Sequence, residues 1–420
     1  MSGFGWGNRF RTSMSGMTLL GRRPRMKTYW TRAAVLAVAL GAGSAPAWAE
    51  VTIGYLAAMT GSTADMTGEA GLHGVKLAIE DFGGQVNGEP ITVLVGDHLG
   101  KPDVGLSIAR EWIDQKDVNI LMNVDNSAVA LAVSDLIRDK DVAMAMGSST
   151  SKLIGESCGP NQMMMLLDNT ALARAVVLPQ IAAGSDKWFF ITVDYALGHD
   201  LQAQATKAIT EAGAMVVGST VHSPQATDFS AQLLEAQASG ATNIALATFG
   251  AWQNTITKQA QEFGIEARLS PFYLADTDIK SAGLDALQNV SGAIQFYWDQ
   301  NDATRAFAER FRAGFGRPPV FTNAYMYEFT RHYLKGVEAV GSTDAAKVTE
   351  WMRQNPIEMI NGSEATIRAD GYTLRDVYSY RTKTPAESKG DWDYLEITGT
   401  IAADDIAPPL AESTCPLVKG

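Results

Sequence analysis

The chain has 420 residues, enough for two domains at roughly 100–200 residues each. Hydrophobic residues are 46% and charged ones 19%, which supports a buried core and excludes a disordered chain. Acidic residues outnumber basic ones, 46 to 34, which excludes the basic stripe that nucleic-acid phosphates need, and two cysteines with five histidines and no Cys-x-x-Cys pair exclude the usual zinc and iron–sulfur sets.

Residues 1–49 hold no acid and seven basic residues, ending at Arg32. An apolar run follows, Ala33 to Ala42, then Ala47-Trp48-Ala49 before Glu50. A basic stretch, a short apolar stretch and an Ala-x-Ala site predict a secretory signal peptide over 1–49. Met26 is an alternative start giving a signal of ordinary length. The run is too short to span a bilayer, and a membrane anchor or tail is the competing reading. Arg22-Arg23 hints at twin-arginine export, without the rest of that motif. The remaining chain carries 27 basic against 46 acidic residues, a net charge of −19, which suits a soluble exported protein rather than one on an anionic membrane. Export to an oxidising compartment favours a disulfide between Cys158 and Cys415; two buried thiols are the alternative.

Val51 to Ala57 reads as a strand, followed by a Gly/Ser/Thr loop. Leu72, Val75, Ile79 and Phe82 recur at helical spacing until Gly83-Gly84. Ile91–Val95, Val118–Val124 and Val142–Met146 are further strands. The helices between them carry Leu106, Ala109 and Ile113, then Val129, Val133 and Ile137. A polar stretch around Gly155–Asn161 interrupts the pattern, which then starts again. Trp188–Val193, Val216–Val221 and Ile244–Thr248 are strands; Leu201, Ala205 and Ile209 mark a helix, and Asp228 can cap another that ends at Gly240. Residues 303–315 and 322–340 are helical, and a strand lies near Val377–Arg381. Strand, loop and helix in repeated order predict an α/β fold of two Rossmann-like lobes with parallel sheets.

Enzyme signatures are missing: no Walker A sequence, no Gly-x-Ser-x-Gly elbow, no His-Glu-x-x-His. No catalytic residue, metal site or cofactor is expected. Ligands of open α/β sheets bind at the carboxyl ends of strands. That rule selects Thr60–Gly68, Asp125-Asn126-Ser127, Gly147–Thr150, Asp194–Gly198 and Phe249–Trp252, with Asp276 in a later loop. Ser127 either caps a helix or uses its hydroxyl to hold a carboxylate. Thr150 either closes a turn or meets the same carboxylate. Asp276 is either a solvated loop acid or the partner of a ligand ammonium. Tyr195 and Trp252 are either core packing or cleft walls.

Gly61 with Gly74–Ala78, Asp125–Ala130, Gly147–Ser151, Asp194–Asp200, Asp228–Ser230, Phe296–Asp302 and Cys415–Lys419, in that order, resemble type I periplasmic solute-binding proteins of ABC transporters. The similarity is to the branched-chain amino acid (Leu/Ile/Val) group, including a subgroup that binds aromatic acids. The resemblance implies three hinge crossings near Asp168, Trp298 and Arg375. One lobe is then 50–168 with 299–375, the other 169–298 with 376–420. It implies a cleft in which Ser127, Ser149 and Thr150 hold a carboxylate and Asp276 an ammonium. Tyr195 and Phe249 form the far wall, and Asp125 joins the set. It also implies a periplasmic monomer that captures an amino acid or other small carboxylate for an inner-membrane ABC permease, without catalysis. A ligand sensor on the same fold is the alternative. Two departures stand out. Met66 replaces an aromatic wall residue, and Met163–Leu167 replaces a stretch of aromatic and histidine residues, as either a core strand or a reshaped pocket.

Overall fold

In the computed structural model the described residues are 50–61, 63–287 and 290–418, so the signal peptide expected over 1–49 lies outside them. β1 (Val51–Ala57) leads through α1 (Ala64–Thr67) and α2 (Glu69–Asp81) to β2 (Gln85–Val86) and β3 (Glu89–Asp97). α3 (Pro102–Gln115), β4 (Ile120–Asn123), α4 (Ser127–Ile137), β5 (Ala143–Met146) and β6 (Gln162–Met164) follow. These strands form one sheet in the order β2-β3-β1-β4-β5-β6. All neighbours are parallel except the short β2, which pairs antiparallel with β3.

α5 (Asn169–Ala182) carries the chain to a second sheet. It is built from β7 (Lys187–Val193), α6 (Ala196–Glu211), β8 (Met215–His222), α7 (Ser230–Ala238), β9 (Asn243–Ala247), α8 (Gly250–Glu262) and β10 (Arg268–Pro271). Its order is β10-β9-β7-β8, all parallel. α9 (Asp276–Ala282) and β11 (Ser291–Ile294) come next, then α10 (Asp302–Phe315) and α11 (Phe321–Val340), both of which pack on α2. The chain ends with α12 (Ala345–Gln354), β12 (Ile357–Glu358), β13 (Glu364–Ile367), β14 (Thr373–Leu374), β15 (Val377–Thr382), β16 (Leu395–Ile401) and α13 (Ala403–Ile406). Two small antiparallel sheets, β12-β13-β14 and β11-β15-β16, complete the fold.

The first sheet is apolar on both faces, as a parallel sheet covered by helices requires. Ile120, Met122, Ala143, Ala145, Met163 and Met165 share a core with Val75 of α2 and Tyr325 and Phe329 of α11. Leu121, Met144, Met146 and Met164 share the other with Trp112 of α3 and Val129 and Val133 of α4. The two-residue alternation places the methionine run: Met163, Met164 and Met165 are buried core in and beside β6, and Leu166 is the residue that reaches the cleft.

Asp168 begins the passage between the sheets. Its carboxylate caps α5, accepting from Thr170 N at 2.9 Å and Ala171 N at 3.1 Å. Cys158 and Cys415 form a disulfide with Cα atoms 5.6 Å apart, pinning the carboxyl-terminal tail beside the first sheet. Among the described residues no helix is long and apolar enough to cross a membrane.

Candidate functional site

The carboxyl ends of both parallel sheets converge on one cavity of about 530 Å³. The first sheet contributes Ala58 after β1, His98 after β3, Asp125 after β4 and Gly147 with Ser149 after β5. The second contributes Tyr195 after β7, Gln225 after β8, Phe249 after β9 and Tyr273 after β10. Free helix N-termini and irregular loops gather at these strand ends, which is why ligands of such sheets bind there.

The wall from the second sheet is aromatic. Phe249 sits at its centre, with ring centroids 6.2 Å from Tyr195, 5.6 Å from Trp252 and 6.0 Å from Tyr273. All three are edge-to-face contacts, the arrangement that ring quadrupoles prefer. Met66, Leu166 and Phe321 add apolar surface from the facing side.

The first-sheet side is polar and centres on Asp125. The backbone turns sharply before it: Asn123 has φ 82° and Val124 φ 39°. Positive φ at a β-branched residue is costly, and such strain concentrates at functional sites. One Asp125 oxygen accepts from Ala58 N at 2.9 Å and His98 Nε2 at 2.8 Å. The other accepts from Thr67 Oγ1 at 2.9 Å and Thr63 Oγ1 at 3.3 Å. Burial works to raise the Asp125 pKa, but the hydrogen bonds from His98, Ala58 and Thr67 outweigh it and hold the carboxyl below its usual range. Gly100 N donates to His98 Nδ1 at 3.0 Å, which leaves Nε2 as the ring nitrogen that faces Asp125. Asp125 is therefore a charged carboxylate with four donors, fastening the loops after β1, β3 and β4 to one another. Lys101 is the one lysine or arginine among the described lining residues.

Of the residues read from the sequence, Asp125, Ser149, Tyr195, Phe249 and Trp252 line the cavity. Ser149 is buried, with its hydroxyl beside that of Tyr273 and no other hydrogen-bond partner. Ser127, Thr150 and Asp276 are not on the lining. Ser127 is buried behind it and accepts from Ser148 Oγ at 3.0 Å. It does not cap α4. Asn126 does, accepting from Ala128 N at 3.0 Å and Val129 N at 3.2 Å, because an asparagine one residue earlier reaches the same free N–H groups. Thr150 donates to Asp200 Oδ2 at 3.1 Å. Asp276 opens α9, buried, with neither carboxyl oxygen hydrogen-bonded to another group.

His98, Lys101, Gln225, Tyr273 and Phe321 are among the lining residues the sequence reading missed. His98 follows β3 directly, so the strand-end rule applied there would have found it. Tyr273 follows β10, a four-residue strand ending in a proline, which gives little pattern to read. Among the described residues no group of three or more His, Cys, Asp or Glu side chains is placed to hold a metal ion.

The family model described as "Periplasmic binding protein" matches residues 50–391. A periplasmic binding protein from Burkholderia mallei has a similar solved structure, with TM-score 0.85 and 34% identity over 88% of this chain and 99% of that one. A branched chain amino acid ABC transporter periplasmic ligand-binding protein from Burkholderia xenovorans LB400 gives TM-score 0.80 and 37% identity, over 88% of this chain and all of that one, 100%. An "Amino acid binding protein" of Pseudomonas aeruginosa is 23% identical over 351 residues, 80% of this chain and 91% of its own length. This α/β chain, with its two parallel sheets meeting at one cavity, belongs to the periplasmic binding protein family.

Proposed function

We propose that the chain is the periplasmic solute-binding component of an ABC importer, exported by the leader at 1–49 and handing its solute to an inner-membrane permease. One observation carries this reading: a single cavity built from the carboxyl ends of both parallel sheets, aromatic on one side and polar on the other. Such a cavity binds without covalent chemistry. Among the described lining residues no nucleophile is paired with a base, since the lining histidine is committed to Asp125 and Gly100.

The lobes are proposed as 50–168 with 299–375 and 169–298 with 376–420, hinged near Asp168, Trp298 and Arg375. In support, the chain leaves the first sheet after β6, returns to pack on it through α10 and α11, and leaves again at β15. Closure of the lobes on the solute is the signal the permease reads. The protein acts as a monomer.

The solute is a small carboxylate with an apolar, aromatic-compatible body. The Phe249 cluster accepts the body, and the Ser149 hydroxyl on the lining is a donor for the carboxylate. A second reading, an amino acid such as leucine, is favoured by the name of the B. xenovorans relative and by the negative charge of Asp125 near the cavity. In that reading the ammonium faces Asp125, or Asp276 once the lobes rearrange, while Ser127 and Thr150 exchange their present partners for the solute.

A thermal-shift panel on unfolded and refolded protein tests both. A ligand at a hundred times its Kd adds about 2.7 kcal/mol of stability. The expected result is stabilisation by benzoate-like or branched carboxylates. Stabilisation by leucine-like amino acids alone selects the second reading. Silence towards both classes removes the carboxylate reading.

A further inference from the structure

The loop after β5 and helix α6 belong to different sheets, yet one carboxylate oxygen joins them. Asp200 Oδ2 accepts from Thr150 Oγ1 at 3.1 Å, Ser151 N at 3.0 Å and Asn169 Nδ2 at 2.9 Å. Its other oxygen accepts from Gln204 Nε2 at 3.2 Å. Thr150 and Ser151 follow β5 of the first sheet, Asn169 opens the connecting helix α5, and Asp200 lies in α6 of the second. The arrangement continues to the cavity: Asn169 Oδ1 accepts from the Tyr273 hydroxyl at 3.3 Å, and the Tyr273 ring lines the aromatic wall.

A hydroxyl, a backbone N–H and an amide N–H converging on one oxygen are the donor set of a carboxylate-binding pocket. Here the pocket is filled by the chain itself. We propose that Asp200 is a built-in carboxylate that occupies the Thr150–Ser151 donor pair, denies that pair to the solute, and sets the position of Tyr273 through Asn169. Asp200 is thus a positioning and specificity-determining residue. The solute's carboxylate must find its donors elsewhere, and Ser149, next to the filled pair and beside the Tyr273 hydroxyl, puts a hydroxyl on the cavity lining. That consequence rests on the function proposed above; the filling of the pocket by Asp200 does not.

The test is chemical rescue. Thermal unfolding of the full chain and of its Asp200→Ala variant is followed while sodium acetate is titrated against equal concentrations of sodium chloride. Asp200→Ala is expected to melt below the wild type. Acetate, entering the vacated pocket, then restores much of the loss, beyond any effect on the wild type and beyond chloride. An Asp200→Ala variant that responds to acetate no more than the wild type does overturns the proposal. If Asp200→Ala does not fold, a double-mutant cycle decides. Thr150→Val should lower the melting temperature less beside Asp200→Asn than in the wild type, and strictly additive losses overturn the proposal. A wild type indifferent to every carboxylate of the thermal panel would sink the proposed function and leave this test intact.

Discussion

Asp276 is a carboxyl group in the wrong solvent. It is buried, its oxygens have no hydrogen-bond partner in another residue, and burial pushes its pKa up to about 7, with its own backbone N–H and Arg317 partly opposing and Asp278 adding to the rise. Because the folded pKa lies above the unfolded value, the folded state holds this proton more tightly. No penalty exists below the unfolded pKa. Stability then falls as pH rises through the interval up to about 7, and the full cost remains above it. Asp276→Asn should therefore match the wild type near pH 4 and exceed it at pH 8, by on the order of 2–4 kcal/mol at 1.36 kcal/mol per pKa unit. Urea unfolding at both pH values measures this; equal stability at pH 8 would show that the carboxylate is solvated. Ser149→Ala tests the cavity itself. It should weaken binding of a stabilising carboxylate roughly tenfold, the worth of one hydrogen bond, with the melting temperature of the free protein nearly unchanged. Calorimetry that finds equal affinity removes Ser149 from the site. The strand-end rule reached Asp125, Ser149, Tyr195 and Phe249 because each sits just past an apolar run. It could not show that Ser127 is engaged by Ser148 or Thr150 by Asp200. Those partners lie 21 and 50 residues away, and hydrogen bonds across such distances leave no local pattern.

At the scale of elements, α2 packs closely against α11. A Cβ on Gly74 would lie 2.4 Å from the backbone oxygen of Asn323, and one on Gly71 would lie 2.1 Å from the Tyr55 hydroxyl. Gly74 lets α11 seat directly on α2, and Gly71 one turn earlier leaves room for the Tyr55 hydroxyl of β1. Gly74→Ala should cost about 2–4 kcal/mol, since a helix backbone cannot step aside. Gly83→Ala, at φ 65° with open space around it, should cost about 1 kcal/mol from its backbone alone. Comparable losses in chemical denaturation would mean that the helices separate easily. Most parallel strands were legible because they are short, largely apolar runs between helical periods, while β10, Arg-Leu-Ser-Pro, was not. β6 was legible only as an alternative, since three methionines in a row carry no period of their own. The β12-β13-β14 and β11-β15-β16 sheets were mostly unread: their strands are two to seven residues long and pair antiparallel at the edge of the fold.

For the molecule as a whole, the disulfide is the covalent long-range constraint among the described residues. Its partners are 257 residues apart, and closing so long a loop removes about 5 kcal/mol of unfolded-state entropy in the chain-entropy model. Cys415→Ser should unfold at lower urea by a matching amount, and reduced wild type should behave like the variant. A reductant that leaves the midpoint unmoved would deny the bond a stabilising role. The same bond has a consequence for cleavage. β7, β8, β9 and β10 all lie between Cys158 and Cys415, so the second sheet is strung entirely within a covalent ring. A protease that nicks one exposed turn of that ring releases nothing. The cut protein should migrate as a single species without reductant and as two fragments with it, still holding its solute where the nick spares the cavity loops.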